Sequence, residues 1–444
     1  MNSTLSVVNR SFLSRAWAPV SRKRLTLILA LMSFSFWFVD LSGAMFLVEA
    51  ALAAGLLMTL PRAELRPKLP WTFAAFLVIW ALGSLLSDLA ASNDQLDALK
   101  GMLRILFLAV DIWALYCLCD LDVRAVRFMW FGLALSLVLS FFLQPSLYAH
   151  GEPWKFGFAL PVSLFVLLWI VRRERSKWFS AGVLIALASV HFVFGFRSLS
   201  MVTLVAAILI VVRVRTNSGG RNKKYLVRIR PVFLAIFGVV ALIGLSTVYD
   251  GLAEGGSFGY AAQQKAYYQA DGEFGSVLSS RSEFLLSLQS IAANPILGGG
   301  SGSVANSHDT AVAATILNNY GYTNVARSLS EETPAYHSVL LGLWAQNGVL
   351  AVPFWFLVLG LLISAAYSVV YRETRLPELV AFLASLGIWD IFFSPFGADR
   401  RMWIAATVVT IVISSTRPKR RTHGQDFDRD NQLQPGSVSP AVPS

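Results

Sequence analysis

The chain is poor in charge. Only 14% of its 444 residues are Asp, Glu, Lys or Arg, against 55% hydrophobic, and the mean hydropathy is +0.59. A soluble domain of this length is excluded, because the apolar residues also come in blocks of membrane-spanning size. Cysteine is almost missing. Cys117 and Cys119 stand two positions apart near the inner end of one apolar block. Neighbours on one helix facing a reducing side do not form a disulfide, so the thiols read as packing or lipid-facing groups. No His/Cys/carboxylate spacing suits a metal and no carboxylate cluster suits a metal-dependent glycosyl transfer, so neither metal nor cofactor is expected. The run Gly298-Gly299-Gly300-Ser301-Gly302-Ser303 lacks the Lys-Ser/Thr of a P-loop and follows no strand. It reads as a flexible connector rather than a nucleotide cradle. No internal repeat is visible.

What is present is a ladder of apolar runs. They fall near 25–39, 43–60, 71–86, 103–119, 128–143, 158–171, 179–194, 199–212, 232–248, 349–370, 379–393 and 402–414. The expected fold is therefore all-α: a polytopic membrane helix bundle of about 12 transmembrane helices. The net charge of +11 does not point to nucleic acid, because the basic residues alternate from loop to loop instead of forming a patch. With the N-terminus inside, inner loops hold 28 of the 37 Lys+Arg and outer loops hold 9. Both termini are then cytoplasmic. Arg22-Lys23-Arg24 imitates a secretory signal, but no clean small-residue cleavage site follows, so an uncleaved first helix is expected. The chain divides into an inner segment (1–24), spans one to nine (25–249), a large outer loop (250–336), a surface or re-entrant helix with the last three spans (337–415), and a disordered tail (416–444).

The outer loop is the one long polar stretch, and loops of that length inside a compact protein are usually functional. Ser280 with Glu283 forms a capping box for a helix over 280–294, with Phe284, Leu285, Leu288, Ile291 and Ala292 on one face and Asn294-Pro295 as its stop. Thr333-Pro334 reads as the N-cap and first position of a second helix. A single helix from there to Arg372 would be about 52 Å long, well beyond a hydrocarbon core of about 30 Å. A break near Asn347-Gly348 is expected, with Pro353 a second weak point and a short surface helix before them.

The strongest candidate in the chain is His337, where this polar stretch meets apolar sequence. In a first helical turn the dipole would disfavour the imidazolium, leaving the neutral ring that a general base requires. The other reading is a capping or packing histidine. Arg197 is the sole basic residue in its tight outer turn, suited to a phosphate or, equally, to setting helix depth. Arg281 opens the capped helix, as an anion site or as a solvated arginine. Arg400, Arg401 and Glu332 are accessory candidates; Asp399-Arg400-Arg401 reads as an internal ion pair or part of an anion pocket. Asp111, Asp390 and His191 lie within apolar spans, as a proton path or as structural glue.

Three stretches carry a resemblance. They are Gly195-Phe196-Arg197-Ser198; Arg281-Ser282-Glu283 with Asn294-Pro295-Ile296-Leu297-Gly298 and Gly300-Ser301-Gly302; and His337-Ser338 followed by Gly348. Together they resemble the bacterial O-antigen ligase and O-antigen/exopolysaccharide polymerase superfamily. Ala351 stands where that family's histidine motif has a second Gly. The resemblance implies a metal-independent, inverting glycosyltransferase of the inner membrane, multi-pass, with a periplasmic active face. Its donor would be a glycan on undecaprenyl diphosphate. Its acceptor would be another lipid-linked repeat or, in a ligase, a lipid A-core sugar. Arg197 and Arg281 would hold the diphosphate, and His337 would take the acceptor proton. A chain-length regulator or flippase of the same pathway would be its partner. The long loop and tail tilt the reading towards polymerase. A transporter or lipid-linked-sugar flippase is the alternative of a different class; it would have paired halves and mid-membrane charges.

Overall fold

The computed structural model describes residues 20–40, 44–59, 71–173, 176–218, 244, 247–257, 259–260, 263–264, 267, 282–331 and 336–415. Arg281, Glu332, Thr333, Pro334 and most of the run 232–248 lie outside them. The described chain is almost wholly helical. Its first half comprises α1 (Arg22–Ser33), a two-stranded antiparallel ribbon of β1 (Phe38–Asp40) and β2 (Ala44–Phe46), then α2 (Leu47–Thr59), α3 (Trp71–Ala91), α4 (Gln95–Cys119) and α5 (Val123–Leu143). There follow the short α6 (Leu147–Gly151), a π-helical turn (Trp154–Phe158) leading into α7 (Ala159–Arg173), α8 (Lys177–Val193) and α9 (Arg197–Ser218). Three short helices, α10 (Ser282–Ala293), α11 (Ser307–Asn319) and α12 (Thr323–Glu331), precede α13 (Val339–Asn347), α14 (Val352–Tyr371), α15 (Pro377–Phe393) and α16 (Ala398–Ser415).

Among the described residues, six helical stretches are long and apolar enough to cross a membrane: Trp71–Ala91, Gln95–Cys119, Val123–Leu143, Trp154–Arg172, Arg197–Val214 and Val349–Tyr371. This is the build of a multi-pass membrane protein. The first two runs differ from expectation. Residues 38–40 pair with 44–46 as a ribbon, with Phe38 opposite Phe46, so α1 and α2 are shorter than the runs that predict them. Short apolar runs of this kind satisfy helix and strand periods alike.

One core runs through the bundle. Trp130 is fully buried, donates to Thr410 Oγ1 at 2.7 Å and packs edge-on against Trp403. Trp80, Phe354 and Trp355 form an aromatic cluster where α3 meets α14. Cys119 is a buried thiol packed against Met129, and Cys117 is half-buried. A second, smaller core of Leu286, Ile291, Ala313, Leu317, Tyr322 and Leu341 holds α10–α13 together. The buried side of α10 is Leu286, Ser287, Ser290 and Ile291. Leu288 is exposed, so the face expected from the apolar residues is rotated; two serines face inward because Ser290 donates to Asp309 of α11 at 2.9 Å.

Candidate functional site

The helix break predicted at Asn347-Gly348 is present. Gly348 ends α13 at φ +71°, a three-residue 3₁₀ turn follows (Val349–Ala351), and Pro353 sits at the start of α14. A Cβ on Gly348 would strike the carbonyl of Ile296, whose oxygen accepts from Val349 N at 3.0 Å. The helix start differs from expectation. Its N-cap is Ser338, not Thr333, so His337 precedes the cap and is not in the first turn. Ser338 wins because its hydroxyl serves twice, accepting from Leu341 N and donating to Ile391 O of α15, each at 3.1 Å. His337 therefore lies outside the turn in which the helix dipole would favour a neutral imidazole. Nor does α13 lie on a surface: Val339, Leu343 and Asn347 are buried among α3, α10 and α15.

The backbone of His337 is held between buried Tyr336 and buried Ser338, while its side chain remains 42% exposed. Nδ1 lies 3.8 Å from Glu283 Oε1 of α10, near enough for charge to be felt but beyond hydrogen-bond distance. Arg197 starts α9 after a turn in which Gly195 takes φ +76° and Phe196 N bonds His191 O. Its Nη1 pairs with Asp250 Oδ1 at 2.8 Å and its guanidinium lies 4.5 Å over the Tyr249 ring. Sixteen residues further along α9, Arg213 donates to Val369 O and Arg372 O at the far end of α14. Since α9 and α14 pack along each other, Arg197 stands at the end where α14 begins, the end that also holds α13 and His337. The two candidates thus share one end of the bundle, each on its own partners.

The accessory arginines are committed to internal pairs. Arg400 bonds Asp390 at 3.0 Å, and Asp390 also accepts from Ser394. Arg401, buried, makes a forked pair with Glu49 of α2, with Nε and Nη2 each 2.9 Å from a carboxylate oxygen. Asp111 is buried close to that pair. His191 Nε2 lies 2.9 Å from Ser163 Oγ, which fits the structural-glue reading.

The glycine run is not a flexible connector. Gly299 N and Gly300 N donate to Ala345 O and Gln346 O of α13. Gly300 N also donates to Ser87 Oγ, and Ser301 reaches both oxygens of Asp88 through its N–H and its hydroxyl. Asn93 bridges Asp88 Oδ1 and Ser301 O, and Asn347 donates to Ser84 Oγ. Gly300 (φ +92°) is needed because a Cβ there would strike the Asn93 amide. Sequence reasoning missed this knot. Its signal was available: Ser84, Ser87 and Asp88 form a polar stripe at helical spacing near the end of an apolar span.

Beside the knot opens a cleft of about 380 Å³. Its polar lining comes from Ser290, Asn294, Ser303, Asn306, Asp309 and Tyr336. Burial pushes the Tyr336 phenol above its usual range and nearby Asp309 adds to this, opposed by Ser290, so the phenol stays protonated. Among the described residues no group of three or more His, Cys, Asp or Glu sits together as metal ligands would.

Fold and site together define a multi-pass helical membrane protein with a small folded segment over one end of its bundle. Comparison with protein-family models, with characterised proteins and with solved structures finds no match to this chain.

Proposed function

We propose that this protein is a metal-independent, inverting glycan transferase of about twelve spans, acting at the outer face of the bacterial inner membrane on a glycan carried by undecaprenyl diphosphate. The observation that carries this reading is the half-exposed His337, beside the Glu283 carboxylate and next to a cap tied to α15, at the same bundle end as Arg197. In the reaction His337 removes the proton of the acceptor hydroxyl as its oxygen attacks the anomeric carbon. The glycosidic C–O bond to the diphosphate breaks, and the departing charge falls on the guanidinium of Arg197. Arg281, two residues before Glu283 in the chain, is the second diphosphate ligand. Glu332 is not needed for these steps.

His337→Ala tests the reading in cells carrying the variant at normal membrane abundance. Surface polymer is expected to vanish while lipid-linked units accumulate on the outer face. Polymer of normal length and amount in that variant would remove the proposal. A deletion strain separates the two acceptors: one repeat still attached to its acceptor means polymerase, complete unattached chains mean ligase. The buried Glu49–Arg401 pair beside Asp111 favours a second reading, a lipid-linked-sugar transporter. Under it the units of the deletion strain would be stranded on the inner face.

A further inference from the structure

The cleft beside the glycine knot is not used by the chemistry above. Its floor is Gly298 and Gly299, one wall is Ser290 of α10 with Asn294 just past that helix, another is the start of α11, and its rim includes Ala90 and Ala91 at the end of α3. No Lys or Arg is among its lining residues. Asp309 is there, 5% exposed. Its Oδ2 accepts from Ser290 Oγ at 2.9 Å, and Oδ1 has no hydrogen-bond partner among the described residues. A carboxylate oxygen open to a cavity can take a donor from a ligand, and a site carrying that charge without a cation repels an anion. The diphosphate of a lipid carrier is therefore the wrong occupant. Tyr336 presents a protonated phenol, and Asn294 adds an amide that can both donate and accept. Leu297, Val304 and Ala345 supply apolar lining. Clustered donors and acceptors with apolar patches between them match a sugar ring, which carries hydroxyls around its edge and C–H groups on its faces. Tyr336 is the residue directly before His337, so the cleft and the proposed base lie on adjoining residues of the chain.

We propose that this cleft is a sugar subsite, in which Asp309 accepts hydroxyl hydrogen bonds from an uncharged ring of the glycan, with Tyr336 and Asn294 beside it. The inference rests on the transferase reading for its occupant, and it assigns the cleft to the glycan rather than to the carrier.

The test uses the purified full chain in detergent and, as probe, the repeat-unit oligosaccharide cut from its carrier by mild acid, free of phosphate. Saturation-transfer NMR is expected to show contact with ring protons, and inorganic pyrophosphate should not compete. Asp309→Asn keeps the acceptor for Ser290 and removes the charge; it should weaken binding by on the order of tenfold. Ala91→Phe, at an exposed rim position that makes no side-chain hydrogen bond, should weaken it comparably by filling the mouth. Undiminished binding by both cleft variants, displacement by pyrophosphate, or no binding to the unaltered chain would each overturn the subsite. The transferase reading fails separately, by normal polymer in His337→Ala cells.

Discussion

Arg197 shows how a side chain at one end of the bundle can be fixed by its own protein contacts. It is held by a carboxylate on one side and an aromatic face on the other, two contacts that a planar guanidinium makes together and an ammonium does not. In the proposed reaction the diphosphate takes over from Asp250. Arg197→Lys keeps the charge and loses the fork, so polymer formation per enzyme molecule should fall by on the order of tenfold or more with no change in thermal unfolding. Equal rates would leave Arg197 as a helix-depth anchor. At this scale the sequence was only partly informative. His337 stood out because a titratable group at a polar–apolar boundary is unusual. Its surroundings did not, because the contest between Thr333 and Ser338 for the cap is decided by a bond to Ile391, 53 residues away.

Elements divide in the same way. The break after α13 was readable from length alone, since a helix that long overshoots the bilayer. The conformation that makes the break depends on Gly348, whose φ of +71° with ψ −173° suits glycine. Gly348→Ala should cost on the order of 3 kcal/mol, from backbone strain and the clash with Ile296 O, read as a lower unfolding midpoint in detergent. A midpoint unchanged from the parent would mean that the turn relaxes freely. At the opposite end of α5, Asp122 is the N-cap. Burial alone would raise its carboxyl, but hydrogen bonds from the Arg124 side chain, Arg124 N and Val20 N outweigh that and hold it below the usual range. Its stabilisation is therefore present above the unfolded value near pH 4 and is lost as pH falls through the lower folded value. Asp122→Asn should lose about 1 kcal/mol at neutral pH, and its difference from the parent should shrink below about pH 4. A difference constant with pH would reject the assignment. Neither this cap nor the pairing of 38–40 with 44–46 was read from the sequence, the ribbon because Phe, Val, Ala and Met fit either period.

At the scale of the whole molecule, blocks of apolar sequence made a multi-pass helical bundle predictable. Nothing periodic announced which distant charges would meet. Glu49 and Arg401, 352 positions apart, join α2 to α16 through a buried forked pair. Truncating one partner strands the other, so Glu49→Ala should destabilise by about 3–5 kcal/mol, seen as a large drop in unfolding midpoint. Replacing both together, by Glu49→Leu with Arg401→Met, should recover most of that loss. A double variant as unstable as the single one would show that the charges do more than satisfy each other.

The tie between the α3–α4 turn and the glycine run also governs how the molecule is made. Ser84 and Ser301 are 217 positions apart, so Ser84, Ser87 and Asp88 leave the ribosome long before their partners. At ordinary translation speeds the wait is roughly 10–40 s. Through that interval the first hairpin has a polar tip that only water or a chaperone can satisfy, and the bundle closes there when the last third of the chain arrives.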